Sequence, residues 1–346
     1  LRGGSDRWRG PDPEPPRNAR CEAAAMSVAG ALVWDNHGCL PLSTDPAGFE
    51  SLDLYRSAGI DIVSVNIGFG RMAWDEHVAI AEALRTWIAA RPERFRLVAT
   101  ADDVEACRAA GALGIIFDVE GMGPVLADPS RVETLYALGV RWMLIAYNRS
   151  NAAGGGCLDA DSGLTARGRA IIDAMERAGM ILCLSHAGPR TAAEALDHAT
   201  RPAIFSHSNP AAHVPHPRNV ADPLLRACAA KGGVIGLSGI GDFLGGNDHI
   251  VARYIDQLRY LVDLVGPRHV GFGLDYVFDP GEIDRLAARD ADLFPAGMMS
   301  GATLGLVSPF AVVDIAEALA RDNMREEDIQ GVLGGNWLRL ARELWR

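Results

Sequence analysis

The chain has 346 residues, 49% of them hydrophobic and 22% charged, and 44 acidic against 33 basic side chains give a formal net charge of −11. That profile excludes a disordered, collagen-like or membrane-spanning protein. The acidic balance is the reverse of the electrostatic footprint of a phosphate-binding surface, so nucleic acid is not an expected partner.

Residues 1–25 carry the breaker-rich GPDPEPPRN and no apolar periodicity, and read as a tag, an upstream extension or a disordered tail. The folded part is expected to begin near Met26 and to run as one catalytic domain over 26–346. From about residue 31 onward, short apolar runs alternate with stretches of helical period. In chain order the runs are ALVWD (31–35), IDIVSVNI (60–67), LGIIFDVE (113–120), VRWMLIAY (140–147), MILCLSH (180–186), PAIFSH (202–207), GGVIGLSG (232–239) and HVGFGLD (269–275). Helical segments are expected between them, at 75–91, 130–138, 165–178 and 190–198. A further run, FRLVAT at 95–100, reads as an extra strand or a lead-in. Eight near-continuous apolar runs are what strands covered on both faces require, and the count favours an α/β fold of the (β/α)8 TIM-barrel type over an open doubly wound sheet. Residues 308–346 read as helical, with the charge run Arg325-Glu326-Glu327-Asp328 as a solvated helix start whose acids sit near the positive end of the dipole.

Six cysteines, at 21, 39, 107, 157, 183 and 228, form no CxxC pair and are too sparse for a disulfide scaffold, which makes a reducing cytoplasm the expected setting. No apolar run approaches the about 20 residues of a spanning helix, and no membrane partner is expected.

In a barrel, chemistry collects at the carboxyl ends of the strands. The first run leads into Asp35-Asn36-His37-Gly38-Cys39, the third ends in Glu120, the fourth in Tyr147-Asn148, the fifth in Ser185-His186, the sixth in Ser206-His207 and the eighth in Asp275. A lone histidine is more often a hydrogen-bonded structural residue than a ligand, but here three of nine histidines fall at equivalent strand ends beside a Glu, a Cys and an Asp. Imidazole and carboxylate suit zinc, and a carboxylate can bridge two ions about 3.5–4 Å apart, a separation useful for activating water.

This order of residues resembles the renal (membrane) dipeptidase family, peptidase family M19 of the amidohydrolase superfamily. The likeness rests on His37 after the first strand, Glu120 in VEGMG, LSH at 184–186, FSHS at 205–208, HPRN at 216–219, GLD ending in Asp275 and GGNWLR at 334–339. It covers nearly everything from residue 31 onward, and LSH, FSHS and HPRN together make it specific. The resemblance implies a barrel enzyme with a binuclear zinc site that hydrolyses dipeptides, often tolerating a D-residue at the C-terminal position. It implies Glu120 as the bridging carboxylate, His186 and His207 on one ion and His37 on the other. Asp275 would be the general base that passes a proton to the leaving amine, and Arg218 would grip the substrate carboxylate. A homodimer is also in keeping with the family, though nothing in the chain marks an interface.

Two positions depart from the family pattern. Its first motif is His-x-Asp, whereas this chain has His37-Gly38-Cys39. Cys39 reads either as a thiolate ligand or as a small buried residue at a site that has lost one metal, so the expectation is one or two zinc ions. Tyr147 stands where the family has a histidine that polarises the scissile carbonyl; its hydroxyl can still donate to an oxyanion, and Tyr147 and Asn148 are both expected to meet substrate. The expected function is hydrolysis of a dipeptide or dipeptide-like amide with a free carboxylate. The alternatives are another amide (an N-acyl amino acid, a cyclic amide or a peptide natural product), a non-catalytic binding barrel with a degraded metal site, and a metal-free thiol hydrolase pairing Cys39 with His37. Among weaker signals, Gly154-Gly155-Gly156 reads as a turn or a mobile lid. His213 and His216 would orient substrate or bond backbone, and Cys183 and Trp337 would pack in the core.

Overall fold

The apolar runs become parallel strands because each is buried on both faces, toward the barrel interior and toward a helical layer. In the computed structural model, which describes residues 30–294 and 304–346, the strands are β1 (Trp34–Cys39), β2 (Ile62–Phe69), β3 (Phe95–Leu97), β4 (Leu113–Glu120), β5 (Val140–Leu144), β6 (Ile181–Cys183), β7 (Ile235–Leu237), β8 (Val270–Phe272) and β9 (Tyr276–Val277). They pair in the order β6-β5-β4-β2-β1-β8-β7. Parallel bridges from Cys183 to Ile204 and from Phe205 to Ile235 link the two ends of that row. With the stretch at 204–205 as one stave, eight staves form the ring of a (β/α)8 TIM barrel.

Three details differ from the sequence reading. PAIFSH contributes only Ile204 and Phe205 to the ring. Pro202 has no N–H to offer, and the two amides after Phe205 are spent on side chains: Ser206 N donates to Cys183 Sγ at 3.3 Å and His207 N to Ser185 Oγ at 3.2 Å. FRLVAT yields the short β3, which pairs with β4 off the main path. The chain also re-pairs after Asp275, where β9 aligns Tyr276 with Gly38 and Val277 with Cys39. The expected tail at 1–25 and the start near Met26 lie outside the described residues.

The helices form close to where the period predicts them, at Trp74–Ala89, Arg131–Leu138, Ala166–Ala178 and Pro189–His198. The third of these starts at a Thr165 cap that accepts from Gly168 N and stops at Gly179 in the left-handed region. The last stretch holds Val312–Arg321, Glu326–Gln330 and Asn336–Leu344, with Gly331–Gly335 forming a π-helical turn between the last two.

One apolar cluster fills the space between strands and helices, and a second gathers Trp34, Ile62, Trp142, Ile181, Ile204 and Val234 with Trp337, Leu340 and Leu344 of the final helix. The final helix thus packs on residues at or near the strand starts, leaving the strand ends free for the site. Trp337 donates to Phe272 O at 3.1 Å. A Cβ at Gly271 would stand 2.5 Å from its ring, which is why that strand position takes glycine. Among the described residues no helix is long and apolar enough to cross a membrane.

Candidate metal centre

Three side chains of the barrel mouth sit on left-handed backbone: Asn148 (φ 57°), His186 (φ 63°) and Asp275 (φ 58°). Asn, His and Asp tolerate that region better than most residues. The kink lets each chain leave its strand direction and turn a polar side chain into the mouth.

Glu120 is the centre of the cluster. Its Oε1 lies 3.6 Å from His37 Nε2, 3.3 Å from His186 Nε2 and 3.3 Å from His207 Nε2. That oxygen is buried and has no hydrogen-bond partner. A buried acceptor is seldom left unpaired, and three imidazole nitrogens around a lone carboxylate oxygen are the donor set of a cation site. His186 Nε2 and His207 Nε2 are also only 2.9 Å apart, a distance that calls for a shared proton or a cation between them. On the other side of His37, Cys39 Sγ lies 3.5 Å from its Nε2, and Asp275 Oδ1 lies 3.5 Å from that nitrogen and 3.4 Å from the sulfur. Two groups therefore have metal-ligand spacing: His37, Glu120 and His207, and His37, Cys39 and Asp275.

Each imidazole is held from behind through Nδ1. His37 Nδ1 faces Asp118 Oδ2 at 3.3 Å, His186 Nδ1 faces Asn148 Oδ1 at 2.7 Å, and His207 Nδ1 faces Ser206 Oγ at 2.8 Å. Asp118 is fixed in turn by Ser64 Oγ at 2.6 Å and Asn66 Nδ2 at 3.0 Å. Asn148 is oriented by its Nδ2, which donates to Leu293 O at 2.9 Å. Its Oδ1 can only accept, so Nδ1 of His186 carries the proton and Nε2 presents a lone pair toward Glu120.

The electrostatics suit a cation at this point. Burial pushes the Glu120 carboxyl up to about 8, although His37 opposes it. Burial, with the positive charges of His37 and Arg218 nearby, drives His186 and His207 well below the ordinary histidine range, which keeps them neutral and ready to ligate. At His37 burial also pulls down, but Cys39, Asp118 and Glu120 outweigh it and the group rises. Burial raises the Cys39 thiol.

A small cavity above the cluster is lined by Cys39, Glu120, Tyr147, His186, Arg218 and Asp275, with Phe243, Val277 and Ile283 on its apolar side. Tyr147 stacks on His186 with ring centroids 4.3 Å apart. Arg218 is only 2% exposed. Its Nη2 reaches His207 O at 3.4 Å, while Nε and Nη1 have no partner.

The structure thus brings together His37, Cys39, Glu120, Tyr147, His186, His207, Arg218 and Asp275. Asn148 also borders the cavity, where its Oδ1 holds His186 Nδ1 and one N–H of its Nδ2 goes to Leu293 O, so it orients His186 from the cavity edge. The three glycines do not form a lid. They are buried, with Gly155 N donating to Thr191 Oγ1 at 2.8 Å and a Cβ at Gly156 falling 2.2 Å from Asn148 O. The apolar cover comes from Ile283 on the helix Pro280–Arg289, which the sequence reading did not pick out. His216 Nδ1 accepts from Arg218 N at 3.1 Å, and His213 is exposed against Tyr260. Asp118 was also missed, although it lies two residues before Glu120 on the same strand and a charged residue there must face inward.

A TIM barrel with imidazoles, carboxylates and a thiol converging at its mouth defines a protein of the barrel metallohydrolase class. Residues 69–288 match the family described as Membrane dipeptidase (Peptidase family M19), and the chain belongs to that family. An uncharacterized dipeptidase of Schizosaccharomyces pombe is 31% identical over 258 residues, 72% of this chain and 58% of that protein's own length. In fold, an amidohydrolase from Pseudomonas aeruginosa superposes with a TM-score of 0.86 at 24% identity, covering 93% of this chain and 99% of its own. A metallo peptidase from Rhodobacter sphaeroides, liganded with a phosphinate mimic of the dipeptide L-Ala-D-Ala, superposes with a TM-score of 0.74 at 21% identity, covering 91% and 99%.

Proposed function

We propose that the protein is a zinc-dependent hydrolase of dipeptides or dipeptide-like amides that carry a free carboxylate. The observation that carries this reading is the unpartnered Glu120 Oε1 at the meeting point of three histidine Nε2 atoms. Glu120, His186 and His207 would hold one ion, and His37, Cys39 and Glu120 a second, with sulfur and imidazole favouring zinc over harder cations. Such an ion supplies a Lewis acid for the scissile carbonyl and a water acidic enough to ionise near neutral pH.

The chain's own groups account for the rest. Arg218 offers a buried cation with two unused donors to the substrate carboxylate, which orients the amide toward the histidines. Asp275 Oδ1, at the edge of the ligand cluster, receives the proton of the attacking water and returns it to the leaving amine. Burial raises the Tyr147 phenol well above its ordinary value, so it remains a hydrogen-bond donor for the oxyanion. The phosphinate dipeptide held by the Rhodobacter sphaeroides protein supports the substrate class.

The test is zinc analysis together with hydrolysis of L-Ala-D-Ala and L-Ala-L-Leu. Zinc-loaded protein is expected to cleave and to lose activity to chelator. Asp275→Asn is expected to retain at least one ion and lose about 10²–10⁴ in turnover. Near-normal turnover in that variant removes Asp275 as the base. Protein that neither retains zinc nor cleaves any dipeptide, even with zinc added, overturns the whole reading in favour of a binding barrel.

A further inference from the structure

The cavity above Glu120 has a volume of about 40 Å³. That leaves room beside the cluster for a small group but not for a bulky side chain. A second cavity of about 310 Å³ adjoins it, and both are lined by Arg218 and His186. Away from these two the lining is mostly apolar, with Leu184 and Phe205 from the barrel, Ala192 from the helix Pro189–His198 and Ala211, Val220 and Leu224 from the loop and helix that follow the sixth stave, and with His216 and Asn219 as its polar members.

The two ends of this second cavity ask for different chemistry. At Arg218, the buried Nε and Nη1 lack any acceptor, which calls for an anion. Elsewhere the lining is mostly hydrocarbon. An amino-acid residue with a free carboxylate and an apolar side chain has that polarity, its two groups separated by a single α-carbon.

We propose that this second cavity receives the apolar side chain of the residue that bears the substrate's free carboxylate, making the enzyme selective for large apolar residues there. The assignment rests on the reading of Arg218 as the carboxylate-binding group. Ala192 and Ala211 act as specificity-determining residues, because their small side chains leave the volume open.

The experiment compares L-Ala-Gly, L-Ala-L-Ala, L-Ala-L-Leu and L-Ala-L-Phe, and the D-forms of the last three, on zinc-loaded protein. In parallel, calorimetry measures binding of the phosphinate analogues of the Gly and Leu compounds. The expected result is a preference for Leu and Phe over Gly of about ten- to a hundredfold in kcat/KM for at least one stereochemical series, the scale on which an apolar pocket discriminates. A matching order in analogue affinity is expected as well. Ala211→Phe in the loop, and separately Ala192→Leu in the helix, are expected to bring the Leu-to-Gly ratio to within about threefold. Equal values for Gly and Leu in wild type, or a ratio unmoved in both variants, overturn the proposal, as does failure of both analogues to bind. If no dipeptide is cleaved while the analogue affinities keep their order, the hydrolytic reading fails and the cavity assignment stands.

Discussion

Asp118 Oδ2 stands 3.3 Å behind Nδ1 of His37, while the opposite nitrogen of the same ring points at Glu120, Cys39 and Asp275. The carboxylate fixes the ring and makes its outward nitrogen a better donor to a cation. Asp118→Asn keeps an acceptor in place but removes the charge. It is expected to weaken zinc retention by about tenfold to a hundredfold, read by competition with a chromogenic chelator. Unchanged retention would mean that Asp118 serves only the packing of Ser64 and Asn66.

Arg218→Lys is expected to raise KM for carboxylate-bearing dipeptides by about tenfold to a hundredfold with a smaller change in kcat, since a charged hydrogen bond is worth about 1.5–3 kcal/mol. The free protein should not lose stability from the change, because two of the donors it removes are unpaired there. Steady-state kinetics beside chemical denaturation checks both halves.

Cys39 can be read spectroscopically. Cobalt-substituted protein is expected to show the near-ultraviolet sulfur-to-metal charge-transfer absorption of a thiolate ligand, and Cys39→Ser is expected to lose it. Cys39→Asp, which restores a carboxylate at that position, should keep the metal and lack the band. If wild type loaded with two cobalt ions shows no such band, the thiol is a bystander.

Asp161 gives a pH prediction away from the metal centre. It accepts from Thr191 N at 2.8 Å, Thr191 Oγ1 at 2.6 Å and Gly163 N at 2.9 Å. Burial opposes its ionisation, but these bonds outweigh it and hold the carboxyl below its ordinary 3.8. A depressed acid stabilises fully above the unfolded value and loses that contribution as pH falls through the folded one. Asp161→Ala is therefore expected to destabilise at pH 7 by about 1–3 kcal/mol, with the gap to wild type narrowing only below the ordinary value. Denaturation at pH 7 and pH 3 tests this; a gap of equal size at both would place the effect in packing.

Much of this site was readable because strand ends in a barrel converge whatever the helices do. His37, Glu120, His186, His207 and Asp275 each close an apolar run, and the spacing of LSH, FSHS and HPRN marks the same corner of the ring. Groups that act through another residue were not legible by that rule. Ser206 resembles an ordinary strand residue until its hydroxyl is seen against His207, and the hold of Asn148 on His186 is visible only once its amide contacts are known. The sixth stave was read too long because apolar content says nothing about backbone amides that prefer a neighbouring Sγ or Oγ. Ile283 was hidden for a further reason: the helix that carries it stands outside the βα repeat, and no pattern in its own sequence says what it covers.

Ile204 and Phe205 link β6 to β7 through single-residue bridges, as narrow a join as the single aligned pair Asp35–Phe272 between β1 and β8. His186 follows the strand on one side of this seam, and His207 leaves the seam itself. A cation shared by the two would rivet the barrel across this narrow seam, so loading and mechanical integrity become one equilibrium. Amide exchange at Ile204 and Phe205 should slow on zinc binding more than exchange in the broad ladder between β2 and β4, and a protein stripped of metal should begin to open there.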